Sequence, residues 1–297
     1  MTDQELRLTP GTLSALLAER TEHARLSGAL QFLPTTVEVI EQDGIPFQVR
    51  IVESLAGKKT APAAGANADP FLPHDPDLFV APISPTHIAL LNKFNVVERH
   101  LLIVTRVFED QRSQLTQKDC EAVLIALTEI DGVAFYNAGR EAGASQSHKH
   151  LQLLPYDAIG PLPIEPLFRF AHPEGMVGTV PRLPFRHAYA PMDTDWTNPQ
   201  KISGASFHAC YRQLLHAAGL SVEAATGSHA PTAPYNLLVA RKWALLVPWS
   251  RESVADISVN ALGFAGAFLV KDRGQCEALR RLGPLAALQH VSFPTPA

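Results

Sequence analysis

The residues best suited to chemistry sit between Tyr136 and Pro155, in the stretch YNAGREAGASQSHKHLQLLP. His148, His150 and Gln152 alternate there with Lys149, Leu151 and Leu153. On a β-strand, side chains two residues apart point to the same face. The spacing therefore predicts one polar row of two imidazoles and a carboxamide, backed by leucines. A core would have to satisfy three hydrogen-bonding groups in that row. Two chemistries need such a row. A His-x-His pair on a strand can chelate zinc or copper but wants further ligands, and Asp157 is the only acidic candidate close by. Alternatively, a neutral imidazole attacks phosphorus and its N–P adduct passes the group onward. Spacing alone leaves phosphate transfer, metal binding and a structural role open.

The segment before the row is small and polar: Gly139, Gly143, Ala144, Ser145, Gln146 and Ser147. Backbone N–H groups in such a loop can approach an anion closely, and serine hydroxyls add donors. Taken alone this is a weak signal, because most such loops are turns. Other elements must hold the loop and the row. Leu151–Leu154 reads as a strand closed by Pro155, and Val133–Tyr136 as a short strand. His87–Asn92 and His100–Thr105 read as a strand pair joined by Lys93–Arg99. Thr116–Ile130 reads as a helix, with Thr116 and Asp119 in a capping arrangement. A first helix is predicted over Pro10–Ser27, capped by Thr9, with Leu13, Leu16, Leu17 and His23 or Leu26 on its buried face. Strands are predicted over Thr36–Glu41 and Pro46–Val52.

Residues 57–77 read as a loop whose Lys58 and Lys59 are either solvated or part of a phosphate-contacting arm. Residues 160–199 are proline-rich and read as an irregular crossing between two halves. Beyond them a helix over Ser206–Ala218, a loop over Gly227–Pro234, a hairpin turning at Arg241–Lys242, and helices over Arg273–Arg281 and Leu285–Val291 are expected. The hairpins beginning HIALLN and YNLLVA share a strand–turn–strand pattern, which suits two related α+β halves and equally a chance similarity of two hairpins.

Composition narrows the function classes. The chain has 297 residues, of which 46% are apolar and 18% charged, enough for a packed core of roughly two domain-sized units. A net charge of −4 excludes a surface that generally coats nucleic acid and a polybasic membrane anchor. Three cysteines without a CxxC give no support to a zinc ribbon or a disulfide framework, and suit a reducing compartment. The N-terminal residues show no basic patch followed by an apolar run, and no 18-residue apolar stretch occurs. The expectation is a cytoplasmic protein with neither nucleic-acid nor membrane partners.

With these residues in view, a resemblance emerges. HKHLQ after a Gly- and Ser-containing loop resembles the active-site motif of the histidine triad (HIT) superfamily, in the His-x-His-x-Gln form of its transferase branch. PFLPHDPDLFV, LLNKFNVVERHLLIVTRVFEDQ, NAGREAGASQSHKHLQLLP, YNLLVARKWALLVPWSRE and ISVNALGFAGAFLVKD are similar to blocks of the diadenosine tetraphosphate phosphorylase (ATP adenylyltransferase) family. The likeness covers about residues 45–290. Ser147 and Glu98 stand where many members carry proline.

The resemblance implies an α+β, HIT-like fold with an antiparallel sheet and flanking helices. It implies two related halves, as in galactose-1-phosphate uridylyltransferase-like proteins: an N-terminal part over 1–170 holding HKHLQ and a C-terminal part over 171–297. It implies His150 as the nucleophile that takes AMP, with His148 orienting it. Gln152 stands where the hydrolase branch has a third histidine. Glutamine donates a neutral hydrogen bond but cannot supply a proton as an imidazolium can, which favours transfer to an anionic acceptor over hydrolysis. Gly143, Ala144, Ser145 and Gln146 match the phosphate-contacting loop, Asn137 a polar contact, and Asn92 and Lys93 a strand-end pair near the nucleotide; Lys58 is a further candidate cation. The implied reaction is reversible phosphorolysis of diadenosine 5′,5‴-P1,P4-tetraphosphate (Ap4A) to ADP and ATP. Its partners are small molecules: Ap4A, ATP, ADP and phosphate. No tightly bound cofactor is implied, and a divalent cation such as magnesium would accompany the polyphosphate. The competing readings are hexose-1-phosphate uridylyl transfer, ADP sulfurylase activity, and a catalytically silent nucleotide-binding protein.

Overall fold

The structure, a computed structural model, describes residues 6–52, 69–192, 203–220, 233–251 and 253–295. Lys58, Lys59 and most of the Gly57–Asp77 loop lie outside the described residues, as does most of the Gly227–Pro234 loop.

The strands Leu101–Thr105, Gly132–Ala138 and Tyr235–Ala240 are buried at every position, and His150–Pro155 at all but one. This burial explains why they read as near-continuous apolar runs: both faces of the sheet they build are covered. The sheet has ten strands, every neighbouring pair antiparallel. Their order is Phe79–Ser84, His87–Leu91, Leu101–Thr105, His150–Pro155, Gly132–Ala138, Tyr235–Ala240, Trp243–Pro248, Ala188–Pro191, Val177–Thr179 and His172–Glu174. The α+β class and antiparallel sheet with flanking helices are as expected.

One face of this sheet packs on the helices Leu13–Ser27, Gln117–Glu129 and Gly204–Ala217, with Leu151 and Leu153 among the shared core residues. Thr116 caps the second of these as expected. Its hydroxyl accepts from the Asp119 N–H and the Asp119 carboxylate accepts from the Thr116 N–H. The opposite face carries His150, Gln152 and Leu154, with Val104 and Leu102 to one side and Phe135 and Val133 to the other. A second, three-stranded sheet of Thr35–Gln42, Ile45–Val52 and Ala267–Val270 includes one parallel pair. Its Phe47, Val49 and Ile51 join a core with Phe268 and with Leu279 and Leu288 of the C-terminal helices.

Three expectations need correction. The first helix begins at Leu13, not Pro10, because the Glu129 carboxylate accepts from the N–H groups of Gly11 and Leu13 and so caps it from another helix. Its buried residues are Leu13, Leu17 and Ala24, while Leu26 is 78% exposed. The span 160–199 is not wholly irregular: His172–Glu174, Val177–Thr179 and Ala188–Pro191 extend the main sheet past its prolines. His148 does not belong to the strand, which starts at His150; it forms an isolated bridge with Asp110.

Candidate active site

His150 sits where two strands part. The ladder between Gly132–Ala138 and His150–Pro155 ends at the Phe135–Gln152 pair. Above that pair the Gln111 side chain fills the gap. Its Nε2 donates to the carbonyls of Asn137 (2.8 Å) and His150 (3.1 Å), and its Oε1 accepts from the His150 N–H (2.7 Å). Backbone groups that would be buried without partners are satisfied, which fixes the His150 backbone.

The His150 ring is set in one protonation state. Nδ1 lies 2.9 Å from the His148 carbonyl, which can only accept, so Nδ1 carries the proton. Nε2 is left with a free lone pair, and the side chain lines a cavity of about 490 Å³. Burial pushes the pKa of His150 down to about 4, so the ring is neutral at pH 7.

Gln152 is oriented by a relay that begins at Asn92. The Asn92 Oδ1 accepts from the Phe94 N–H (3.4 Å), which turns Nδ2 toward His100 Nδ1 (3.1 Å). His100 then carries its proton on Nε2 and donates it to Gln152 Oε1 (2.9 Å). Burial likewise lowers the His100 pKa to about 4, keeping it neutral. With its oxygen taken, the Gln152 amide has its NH₂ group left to serve the cavity.

His148 stands behind His150. It is 1% exposed and lies edge-on between Phe71 and Phe108. Nδ1 is 2.7 Å from Asp69 Oδ2, and Nε2 is 2.9 Å from the Thr105 carbonyl. Asp69 also accepts from the Phe71 N–H, so the pair ties the segment carrying Phe71 to the histidine motif. Lys149 points the opposite way and is fully buried. Its ammonium meets Glu109 (2.6 Å) and Asp119 (3.2 Å). Burial pushes the Asp119 carboxyl up, but the His87 hydrogen bond and the Lys149 charge outweigh it and hold the pKa at about 2.

The loop from Gly139 to Ser147 is shaped by Gly143. Its φ is +92°, and a Cβ there would meet the Asn260 Cβ at 2.9 Å and the Val259 carbonyl oxygen at 3.0 Å. Asn137 is buried and serves as a strut. Its Oδ1 accepts from Asn236 Nδ2 (2.8 Å) and the Ala261 N–H (3.3 Å). Asn236 in turn donates to the Ala142 carbonyl and accepts from the Trp249 indole.

The structure thus brings His150, Gln152, Asn92, Lys93, Ser145 and Gln146 around one cavity. Asn137 and Gly143 line a neighbouring cavity, and Ala144 lines a cleft on the other side of the loop. Asp157, the candidate fourth ligand, is instead in a two-point pair with Arg99. Among the described residues no three His, Cys, Asp or Glu side chains form a metal-holding group. His100, Gln111, Asp69 and Asn236 were not anticipated as site residues. His100 was legible only as the start of a strand, and Gln111 carries no local signal at all. No helix among the described residues is long and apolar enough to cross a membrane.

A neutral imidazole offering a bare nitrogen to a donor-lined cavity suits group transfer at phosphorus, and the family matches place the chain among the nucleotidyltransferases. Family comparison narrows the class. Residues 3–170 match the Ap4A phosphorylase N-terminal domain and residues 181–294 the ATP adenylyltransferase C-terminal domain. The chain belongs to the Ap4A phosphorylase family. It is 30% identical over 286 residues to diadenosine 5′,5‴-P1,P4-tetraphosphate phosphorylase 2 of Saccharomyces cerevisiae, covering 84% of this chain and 85% of that one. The yeast Protein APA1 is 24% identical, over 89% of this chain and 88% of its own. Among solved structures, yeast Ap4A phosphorylase Apa2 in complex with Ap4A superposes with a TM-score of 0.80 at 25% identity, covering 98% of this chain and 100% of that one. The complex of Apa2 with AMP gives 0.79 at 25% identity, covering 98% and 99%.

Proposed function

We propose that the protein phosphorolyses Ap4A reversibly to ADP and ATP by two successive transfers of one adenylyl group. His150 Nε2 attacks the α-phosphorus; the bond from that phosphorus to the bridging oxygen breaks, and ATP leaves with the oxygen. An oxygen of inorganic phosphate then attacks the same phosphorus, the N–P bond breaks, and ADP departs. The observation that carries this reading is the His150 ring itself, neutral, with Nδ1–H held by the His148 carbonyl and Nε2 facing the cavity.

The other roles follow from position. Gln152, turned by His100, donates to the phosphoryl oxygens, as do Ser145 and Gln146, and Lys93 offsets phosphate charge. Each well-placed donor is worth about 2.7–4 kcal/mol of transition-state stabilisation. His148 acts through its carbonyl, and Asn137, Gly143 and Ala144 hold the loop. Lys58 supplies a second cation. No cofactor is bound tightly; a divalent cation such as magnesium arrives on the polyphosphate oxygens. The chain divides into an N-terminal part over 1–170 and a C-terminal part over 171–297, a reading supported by the two family matches, and works in the cytoplasm.

The test is incubation of the protein and of His150→Ala with Ap4A, with and without phosphate, followed by nucleotide chromatography. Equal ADP and ATP, formed only with phosphate and lost in the variant, are expected. AMP and ATP without phosphate would mean hydrolysis, and no turnover would leave uridylyl transfer or silent binding.

A further inference from the structure

Lys149 is the residue of the histidine motif that the transfer proposed for His150 does not use. It stands between the two histidines, points to the helix-covered face of the sheet and is fully buried. Each of its three ammonium donors has an acceptor: Glu109 Oε2 at 2.6 Å, Asp119 Oδ2 at 3.2 Å and the Gln114 carbonyl at 3.2 Å. Asp119 is fixed in turn, accepting from His87 Nε2 at 2.9 Å and from the N–H and hydroxyl of Thr116 at 2.6 and 2.8 Å. The ammonium is thereby tied to the first turn of the helix Gln117–Glu129. A buried ion pair is weak grounds for stability by itself, because an apolar side chain of similar volume often serves as well. Leu151 and Leu153 show that this face accepts such side chains.

What the charge fixes is a peptide plane. The His148 carbonyl and the Lys149 N–H belong to one planar unit and point in opposite directions. The carbonyl accepts from His150 Nδ1 at 2.9 Å, and the N–H donates to the Glu109 carbonyl at 2.7 Å. Glu109 therefore grips Lys149 twice, by its backbone oxygen and by its carboxylate. The following peptide is pinned as well, since the Lys149 carbonyl accepts from the Thr105 N–H at 3.3 Å. With the ammonium gone, the Glu109 and Asp119 carboxylates would face one pocket without a cation between them. The Glu109 side chain is 38% exposed, so it can turn to water and draw its carbonyl away from the Lys149 N–H. The plane would then tilt, and the acceptor for Nδ1 with it. An imidazole that loses its Nδ1 acceptor can carry its proton on Nε2 instead, and a protonated Nε2 has no lone pair for phosphorus.

We propose that Lys149 is a positioning residue for adenylyl transfer: its anchored ammonium holds the peptide plane between residues 148 and 149, whose carbonyl keeps the His150 proton on Nδ1 and leaves Nε2 bare. The inference rests on the reading of His150 as the nucleophile. Lys149 does not line the His150 cavity, so it meets no reacting atom. It acts on where one proton sits. Its loss therefore slows the chemical step and leaves substrate binding alone, the pattern of an effect confined to kcat.

The experiment compares native protein with Lys149→Met and Lys149→Arg, and with Leu17→Ala, which loosens the same core from the first helix. One readout is the ring-nitrogen NMR shifts of His150 in ligand-free, histidine-labelled protein, assigned by difference from His150→Asn. The other is single-turnover release of ATP over a range of Ap4A concentrations, which separates the limiting rate from half-saturation. Native protein and Leu17→Ala should carry the proton on Nδ1 and share one limiting rate. Lys149→Met should place protons on Nε2 and lower the limiting rate about tenfold, the worth of one hydrogen bond, with half-saturation little changed. Lys149→Arg keeps the charge on a differently shaped head and should recover part of the loss. A native tautomer or rate in Lys149→Met, an equal loss in half-saturation, or a loss matched by Leu17→Ala overturns the proposal. Should Lys149→Met not fold, Lys149→Arg is read in its place: a several-fold lower rate with some Nε2 protonation is expected, and an unchanged tautomer or rate overturns the proposal. If native protein releases no ATP from Ap4A, the phosphorolysis reading falls, while the ring-nitrogen shifts still decide whether Lys149 sets the proton.

Discussion

The Nδ1–H of His150 donates to the carbonyl oxygen of His148, two residues earlier in the same motif, across 2.9 Å. The first histidine thus acts on the second through its backbone, while its own ring is held by Asp69 and Thr105. This division separates a row that reads as three equivalent polar side chains into the roles proposed for it: one nucleophile, one support and one donor.

The pH dependence of the first transfer follows from burial. The His150 pKa is lowered to about 4, so the nucleophilic neutral form persists as pH falls well below the usual histidine range. Single-turnover release of ATP from Ap4A, followed from pH 8 downward, should stay level through pH 6.5 and lose half its rate only near pH 4. A midpoint at 6.5 would show that the ring is not desolvated in the working enzyme.

His100→Phe should lower kcat about ten- to a hundredfold, the cost of releasing one buried hydrogen-bonded partner. KM should change little, because the proton His100 donates goes to Gln152 and the variant chiefly frees that side chain to turn. Steady-state kinetics separates the two constants. A rise in KM with unchanged kcat would remove His100 from its orienting role.

Stability should fall as the pH drops below the usual histidine range. His100, His150 and His187 all have pKa values lowered chiefly by burial, so the folded protein keeps them neutral while the unfolded chain takes up protons below about 6.5. Each fully neutral histidine contributes a loss of about 1.4 kcal/mol per pH unit, until His100 and His150 titrate in the fold near 4. Thermal unfolding at pH 7 and pH 5 should therefore differ by several degrees, with the lower Tm at pH 5. Equal values would mean that these rings are hydrated.

Gly143→Ala should damage loop and activity together. The φ of +92° and the approach of the Val259 carbonyl to 3.0 Å leave no room for a methyl group. A loss of more than about 1 kcal/mol in stability is expected, since alanine gains nothing where φ is positive. Denaturant unfolding and turnover measured side by side check this, and a variant with native stability and rate would show that the loop can shift freely.

How much of this was written locally depends on the residue. The alternation around His150 and Gln152 is a local pattern, and so was readable. The capping pair Thr116 and Asp119 was readable too, because both partners lie within one helical turn. Leu13 starts its helix under the carboxylate of Glu129, 116 residues away, and no local signal reports that. Gln111 matters only because the strands part beside it, and His100 only because Leu101 pairs opposite Leu153, which brings the ring to Gln152. The short strands His172–Glu174 and Ala188–Pro191 were hidden by their prolines, which pairing at a strand end or at the margin of a sheet tolerates.

The pairing of Gly132–Ala138 with Tyr235–Ala240 joins sequence from either side of residue 170 through six consecutive residue pairs, with Asn137 and Asn236 bonded at one of them. A chain ending near residue 170 would therefore bare a long apolar edge strand, the kind of surface that recruits other chains. Unfolding should accordingly be a single cooperative event, and neither portion should survive as a well-behaved monomer once separated. Any evolutionary or engineered exchange of the C-terminal portion must bring its own strand to close that edge.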